Sequence, residues 1–445
     1  MDAQNSQGEL QRALEQLPPE IHRKMLPSSR TIVLRVTSKT IRTAVEKADA
    51  VVQAQNGYQF PDVRGLLEKL RGLSVWCKVT VLRLKDCRLG RTGASEDIAS
   101  LLSEHLVELD LQGNDIQEYG GRLLAETLCL NTALKSLNLG NNGLGEGGGR
   151  ALADTLRLNT TLLWLNLEEN RLGEGGGQAL AETLCLNNTL TSLLLFRNGL
   201  GEGGGRALAE TLCLNTTITS LDLGWNGLGK GSGRALAETL RLNTTLTSLQ
   251  LDRNRLEEGG GRVLADTLSL NTTLKLLSLE YNGLGEGGGQ ALAETLRLNT
   301  ALKSLNLGRN GLGEGGGRAL AAKLCLNTAL TELNLWGNDL GEGGGRALSD
   351  TLRLNTTLTS LQLDGNHLGE GGGGALADSL RFNTTLTSLQ LFDNHLGEGS
   401  VWVLEKTLRL NTALTKLDLL HNCLGGEQQS ALHQAWGDRG GSLLV

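Results

Sequence analysis

Asparagine returns at a fixed step of 28 residues through most of this chain: Asn114, Asn142, Asn170, Asn198, Asn226, Asn254, Asn282, Asn310, Asn338, Asn366, Asn394 and Asn422. Around each lies the pattern LxxLxLxxNxL, as in Leu134, Leu137, Leu139, Asn142 and Leu144. An earlier copy, Val79 to Leu89, carries Cys87 in place of the asparagine and sits 27 residues ahead, which makes thirteen copies. Self-similarity at one period over that length implies a stack of supersecondary units, none of which can bury its apolar face alone. The composition agrees. Gly is 61 of 445 residues and aromatic residues are 3%, too few rings for a conventional core of this size.

Each unit contains two periods. The LxLxx segment alternates as a short strand with one buried face does. The following GLGEGGGRALAETLRLNTT places Leu152 and Leu156 one helical turn apart among small alanines, which predicts a helix with one apolar stripe. Asn and Thr after Leu158 end that helix. Three consecutive glycines at the helix start cost about 1 kcal/mol each in a helix interior, so these helices must depend on stacking. Strands stack about 4.8 Å apart and helices roughly 8–10 Å apart, so the strand side must be the inside of an arc. The recurring asparagine is expected to bond backbone groups in the bend after the strand, where they would otherwise be buried unpaired.

The pattern LxxLxLxxNxLGxxGxxxLAxxL in 28-residue units resembles the ribonuclease-inhibitor class of leucine-rich repeats, over about residues 79–430. That class also includes Ran GTPase-activating proteins and the sensor regions of nucleotide-binding leucine-rich receptors. The resemblance implies an α/β solenoid, a right-handed horseshoe with parallel strands on the concave side, helices on the convex side and about thirteen repeats. Function is less constrained, because one fold hosts inhibitors, activators and sensors. The expected organisation is a helical region over 1–75, repeats over 76–424, and a C-terminal cap and tail over 425–445. Short helices are expected around Leu10, Leu14 and Leu17 and around Leu66, Leu67 and Leu70, covering the first strand. Leu17-Pro18-Pro19-Glu20 followed by Val33-Leu34-Arg35-Val36 also looks faintly like an F-box, about three residues short between the blocks.

Comparing the copies with one another isolates the candidate binding surface. The leucines, the asparagine, GEGGG and ALAETL scarcely change; the exposed strand positions and the two residues before the asparagine do. Those positions supply Trp164, Glu168, Phe196, Arg197, Trp225, Asp252, Arg253, Glu280, Tyr281, Trp336, Asp364, Phe392 and Asp393. Six of them are rings, in a chain with only 4 Phe, 3 Tyr and 6 Trp. Core packing does not explain rings at positions that elsewhere hold Gly, Asp or Arg, whereas interface anchors are of this type. The acids Asp110, Glu168, Glu169, Asp222, Asp252, Glu280, Glu332, Asp364, Asp393 and Asp418 outnumber the bases, so a protein partner with a basic surface would be steered in.

Other signals are weaker. Gly143-Leu144-Gly145-Glu146-Gly147-Gly148 satisfies GxGxxG, but it recurs in most units and puts a carboxylate where a phosphate would sit. His367 and His395 occupy one position in adjacent units with Asp364 and Asp393 nearby, yet only two histidines align, so no metal is expected. Cys129, Cys185, Cys213 and Cys325 share one repeat position and form no CxxC pair, so reduced thiols are expected. Seven Asn-x-Ser/Thr matches, such as Asn159-Thr160-Thr161, repeat one helix-end sequence. A net charge of −6 disfavours nucleic acid, and no apolar run is long enough for a bilayer. The N-terminal segment has no apolar signal region. The reading is therefore a cytoplasmic, monomeric, non-enzymatic scaffold or inhibitor-type module that binds protein, without cofactor, nucleic acid or membrane. Two alternatives stay open. One is a GTPase activator resembling those that act on Ran, although a strongly acidic tail is missing from GDRGGSLLV; the other is an F-box-like receptor that binds a Skp-type adaptor.

Deleting one 28-residue unit, such as 199–226, should leave a folded chain with an unchanged type of circular dichroism spectrum. Deleting fourteen residues should abolish cooperative melting, because strand would then meet helix. Equal melting of the two variants would contradict the nearest-neighbour stack.

Overall fold

The computed structural model describes residues 21–25, 32–36, 50–54, 79–92, 102 and 105–445. They belong to two compact units, residues 1–200 and 201–445. In the first, β1 (Ile21–Met25) pairs antiparallel with β2 (Ile32–Val36). From there β3 (Ala50–Ala54), β4 (Val79–Arg83), β5 (Glu108–Asp110), β6 (Ser136–Asn138), β7 (Trp164–Asn166) and β8 (Ser192–Leu194) join in sequence order, all parallel. In the second unit β9 (Ser220–Asp222), β10 (Ser248–Gln250), β11 (Leu276–Ser278), β12 (Ser304–Asn306), β13 (Glu332–Asn334), β14 (Ser360–Gln362), β15 (Ser388–Gln390), β16 (Lys416–Asp418) and β17 (Ser442–Leu444) form a parallel sheet in the same way. A helix follows each strand from β5 to β16, the first Gln117–Leu130 and the last Gly426–Trp436. This is the α/β leucine-rich-repeat solenoid: strand, bend, helix, return.

The strands correct part of the reading of residues 1–75. Ile32, Val33 and Val36 are β-branched, which suits a pleated strand and costs side-chain freedom in a helix. The Val33–Val36 block of the F-box pattern thus lies in β2. The helices expected around Leu10 and Leu66, and Leu17-Pro18-Pro19-Glu20, lie outside the described residues. At the other end, the tail after the helix Gly426–Trp436 adds β17, paired parallel with β16.

Parallel in-register pairing aligns equivalent residues of successive units in columns. Leu221, Leu249, Leu277 and Leu305 form one such column, each essentially inaccessible. The asparagine bonds are the next constraint. Asn254 Oδ1 accepts the N–H groups of Asn226 and Leu228 at 2.9 and 3.3 Å. Its Nδ2 donates to the Leu223 carbonyl of the preceding repeat at 2.9 Å and to Leu251 and Asp252 of its own at 2.9 and 3.3 Å. The expected bond to the bend is therefore present, and it also ties each repeat to the one before. A second asparagine column does the same at the helix ends: Asn243 Nδ2 donates to Leu212 and Asn215 carbonyls at 2.7 and 3.1 Å, while its Oδ1 accepts Thr245 and Leu246 N–H at 2.9 and 2.7 Å. These are the residues of the Asn-x-Ser/Thr matches. Their amide nitrogens point into the stack, where a glycan would break it.

Two glycines show why the helix starts resist side chains. A Cβ on Gly315 would overlap the Glu286 carboxylate of the preceding repeat. One on Gly345 would lie 3.0 Å from Gly372 Cα of the next. Helices approach closely enough for Thr239 Oγ1 to donate to the Ala209 carbonyl of its neighbour at 2.7 Å. The helix penalty of glycine is offset by packing between repeats.

At the C-terminus Arg439 stands where the helix-end asparagine would recur, 28 residues after Asn411. Its guanidinium donates to the carbonyls of Asn411 at 2.8 Å and Trp436 at 2.7 Å, and to that of Leu408. Arg439→Ala should therefore strand carbonyls in the last repeat at a cost of about 1–3 kcal/mol. Hydrogen exchange should show lost protection in Gly426–Trp436 and Ser442–Leu444 but not in 201–300, and Arg439→Asn should restore part of it.

Candidate functional site

Counting from the recurring asparagine as position zero, the strand face presents side chains at −6, −4, −2 and −1. The −4 column proves structural. Asp110, Asn138, Asn166, Asp222, Asn306, Asn334 and Asp418 each accept, through Oδ1, the N–H group two residues on, at 2.7–3.0 Å. Ser278 and Gln390 at −4 do not make that turn. There the −2 acid of the preceding repeat substitutes: Asp252 Oδ1 accepts Glu280 N–H at 2.9 Å, and Asp364 Oδ1 accepts Phe392 N–H at 2.8 Å. The Ser278 hydroxyl also donates to Asp252. Burial raises the Asp252 carboxyl above the usual carboxylate range, against the hydrogen bonds from Ser278 and Glu280. Burial raises Asp364 too, opposed by the Phe392 amide and reinforced by the Asp418 charge.

The −1 column bears the large side chains and has an unusual backbone. Trp225, Arg253, Tyr281 and Arg309 have φ of 54°, 57°, 55° and 53°, left-handed values that cost roughly 1–2 kcal/mol for a residue with a Cβ. The equivalent residues Gly113, Gly337 and Gly365 meet the same requirement without that penalty. The four side chains alternate ring and guanidinium. Arg253 lies 4.8 Å from the Trp225 ring and 3.9 Å from Tyr281; Arg309 lies 5.6 Å from Tyr281 and 4.5 Å from Trp336. Tyr281 and Trp336 meet edge to face at 5.7 Å. Trp336 comes from the −2 column and fits because Gly308 has no side chain to overlap its indole. Trp225 remains 45% exposed.

The other expected residues lie at the equivalent strand positions of their own units. Trp164 is half-buried in β7, and Glu168 accepts from Asn166 Nδ2 at 3.2 Å. Arg197 pairs with Glu169 at 3.4 Å, both well exposed, a contact worth little in water. Phe196 is half-buried, Asn306 Nδ2 donates to Glu280 at 3.0 Å, and Asp393 is exposed. Phe392 stacks on His421 at 4.7 Å. The structure thus gathers Trp225, Arg253, Tyr281 and Trp336 into one cluster, with Asp252 and Glu280 beside it in sequence columns, and leaves the rest dispersed. Arg309, half of the cluster's positive charge, is not among the contact residues expected from the sequence.

His367 and His395 have ring centroids 5.5 Å apart, and His367 Nε2 lies 3.5 Å from Asp339 Oδ1. Among the described residues no three His, Cys, Asp or Glu side chains converge as metal ligands, and no helix is long and apolar enough to cross a membrane. Burial pushes the Cys87 thiol up to about 12, helped by Asp86 and Asp110, while Cys185 and Cys423 are exposed.

Sequence comparison matches the family described as "Leucine Rich repeat" in eleven segments: 102–125, 130–153, 158–181, 186–209, 214–237, 242–265, 270–293, 298–321, 326–349, 354–377 and 382–399. The chain belongs to the leucine-rich-repeat family. Its repeats are of the ribonuclease-inhibitor class. A 75-residue stretch is 41% identical to human NACHT, LRR and PYD domains-containing protein 12, covering 16% of this chain and only 7% of that protein. Among solved structures, the leucine-rich repeat-containing protein LegL7 of Legionella pneumophila covers 71% of this chain and 94% of its own, at 21% identity and a TM-score of 0.42. Leiomodin-1 actin-binding site 2 covers 33% and 69%, at 24% identity and a TM-score of 0.23. Leucine-rich repeats typically serve as non-enzymatic scaffolds for protein–protein contact.

A second surface of these repeats went unnoticed in the sequence. Leu130, Leu158 and Leu186 in the first unit, and Leu214, Leu242, Leu270, Leu298, Leu326, Leu354, Phe382 and Leu410 in the second, are 49–85% exposed at the helix ends. Their signal was present. Leu158 follows buried Leu156 by two residues, about 200° around a helix, so the two cannot share a face.

The −2 acids provide the test of structural against surface roles. Asp252→Ala and Asp364→Ala should each lower stability by about 1–3 kcal/mol, since each strands a backbone N–H. Asp252→Asn keeps the accepting oxygen without burying a charge and should match or exceed the wild type in chemical denaturation. The raised pKa gives the pH sign: the folded state holds this proton more tightly than the unfolded one, so its ionisation weakens the fold as pH rises through the carboxylate range.

Proposed function

We propose that this chain is an interaction module that binds a protein partner on its strand face, with Trp225, Arg253, Tyr281, Arg309 and Trp336 at the centre of the contact. The observation that carries this reading is the backbone cost. Large rings and guanidiniums stand at left-handed positions where three other repeats use glycine, and unfavourable backbone geometry kept in the fold points toward function. Tyr, Trp and Arg are the side chains that dominate interface energetics. Alternating stacks also hold them still, which lowers the ordering cost of binding.

The rest of the face sets approach. In the same unit Glu332 and Asp393 add negative charge to the strand face, which favours a partner with a basic surface at long range. Asp252, Asp364 and Asp418 contribute less, because one oxygen of each carboxylate accepts a backbone amide.

Replacing Trp164, Trp225, Tyr281 and Trp336 with Ala should abolish capture of the cellular partner while far-UV circular dichroism stays unchanged. Loss of an anchoring ring is worth about 2 kcal/mol or more. Two control sets address the other surfaces: Arg150, Arg206, Arg262 and Arg318 on the helices, and Leu214, Leu270 and Leu354 at the helix ends. The first four are exposed partners of Glu146, Glu202, Glu258 and Glu314. Binding that survives the ring substitutions but fails with either control set assigns the interface elsewhere.

A further inference from the structure

The two arginines of the cluster are held in place yet have no carboxylate of their own. Among the described residues neither Arg253 nor Arg309 forms an ion pair. Acids are close in the repeat pattern, but each has one oxygen turned to another donor and none reaches either guanidinium within ion-pair distance. Asp222 accepts Gly224 N–H, Asp252 accepts from Ser278 and Glu280, and Glu280 accepts from Asn306. Tyr281 lies against both guanidiniums, while Trp225 and Trp336 each meet one and Trp225 stays exposed. What the ladder offers a partner is therefore two guanidinium edges, each backed by rings. A pinned planar fork of N–H donors is suited to a carboxylate.

Spacing narrows the partner further. The backbones of the −1 column are hydrogen-bonded repeat to repeat: Trp225 N to Asp252 O at 2.7 Å, Arg253 N to Glu280 O at 2.7 Å, Tyr281 N to Gly308 O at 2.9 Å, and Arg309 N to Trp336 O at 2.8 Å. Strand spacing therefore holds along this column, and two steps from Arg253 to Arg309 amount to about 9.6 Å. A polyproline II segment advances about 9.3 Å per three-residue turn and returns to the same face. In a β-strand, by contrast, residues three apart face opposite sides. Rings flanking the guanidiniums suit the prolines of such a segment.

We infer that the Trp225–Arg253–Tyr281–Arg309–Trp336 ladder binds an extended, proline-containing protein segment with acidic residues three apart, one carboxylate on each arginine. This rests on the strand-face reading and specifies its chemistry. The surrounding acids steer a basic partner at long range, whereas contact at the ladder is made by two carboxylates of that partner's segment.

The test uses the full chain and fluorescein-labelled nonapeptides built from three Pro-Pro-Glu, Pro-Pro-Gln or Pro-Pro-Lys triplets, read by fluorescence anisotropy at low salt. A fourth peptide keeps the composition of the first but spaces its glutamates four apart. A fifth is a helical peptide with glutamates seven apart. The Pro-Pro-Glu peptide should bind tightest, and Arg253→Ala or Arg309→Ala should each weaken it about tenfold. Arg253→Lys should also weaken it, because the ammonium keeps the charge but loses the fork; Tyr281→Ala should do so by releasing both arginines. The proposal is overturned by absent binding at millimolar peptide, by equal or tighter binding of any of the other four, or by wild-type affinity in both alanine variants. None of these results depends on the cellular partner, whose retention by the four-ring variant would instead refute the strand-face reading itself.

Discussion

A hydrogen bond that crosses from one repeat to the next is what the remaining architecture depends on. Within each unit a recurring asparagine has its carbonyl oxygen on two N–H groups of the preceding bend and its nitrogen on carbonyls of both repeats, as Asn254 does with Asn226, Leu228, Leu223 and Leu251. These backbone groups are buried by stacking, and leaving them unpaired would cost more than their bonds gain. Leucine burial supplies the bulk of the driving force, but it does not define register. The asparagines do, because their oxygens and nitrogens are matched only when equivalent residues align.

That register produces the candidate site. Aligned repeats turn single substitutions into columns, so Trp225, Arg253, Tyr281 and Arg309 become neighbours although 28 residues separate each from the next. The same geometry demands a left-handed residue before every asparagine. Glycine is the natural answer there, and its replacement by rings and guanidiniums trades stability for a surface. Cation–π contacts recover some of that loss, at about 0.5–1 kcal/mol for exposed pairs.

Much of this was legible in the residues. The 28-residue step and the two periods within it specify strand, helix and stacking, and variation among the copies singles out the strand face. The division of labour on that face was not legible. Asp252 and Glu280 look alike as acids in a variable column, yet Asp252 stabilises a bend two positions into the next repeat, because Ser278 is too short to do so. Arg309 reads as one base among a minority until Gly308 and Gly337 are seen to clear space for it and Trp336. Arg439 gave no sign of replacing an asparagine, since nothing in its type resembles one; only the four carbonyls converging on its guanidinium reveal the role.

The sequence by itself determined the fold, because a strictly periodic arrangement of leucine, asparagine and glycine has one way to bury its apolar faces and pair its backbone. It also determined which face carries variable residues, since strand alternation assigns inside and outside without further information. Which of those residues act together was decided by tertiary structure alone. Side-chain direction at a left-handed bend, the room left by a glycine in the adjacent repeat, and a carboxylate that accepts the backbone amide of the next repeat are relations between repeats, and no single repeat contains them.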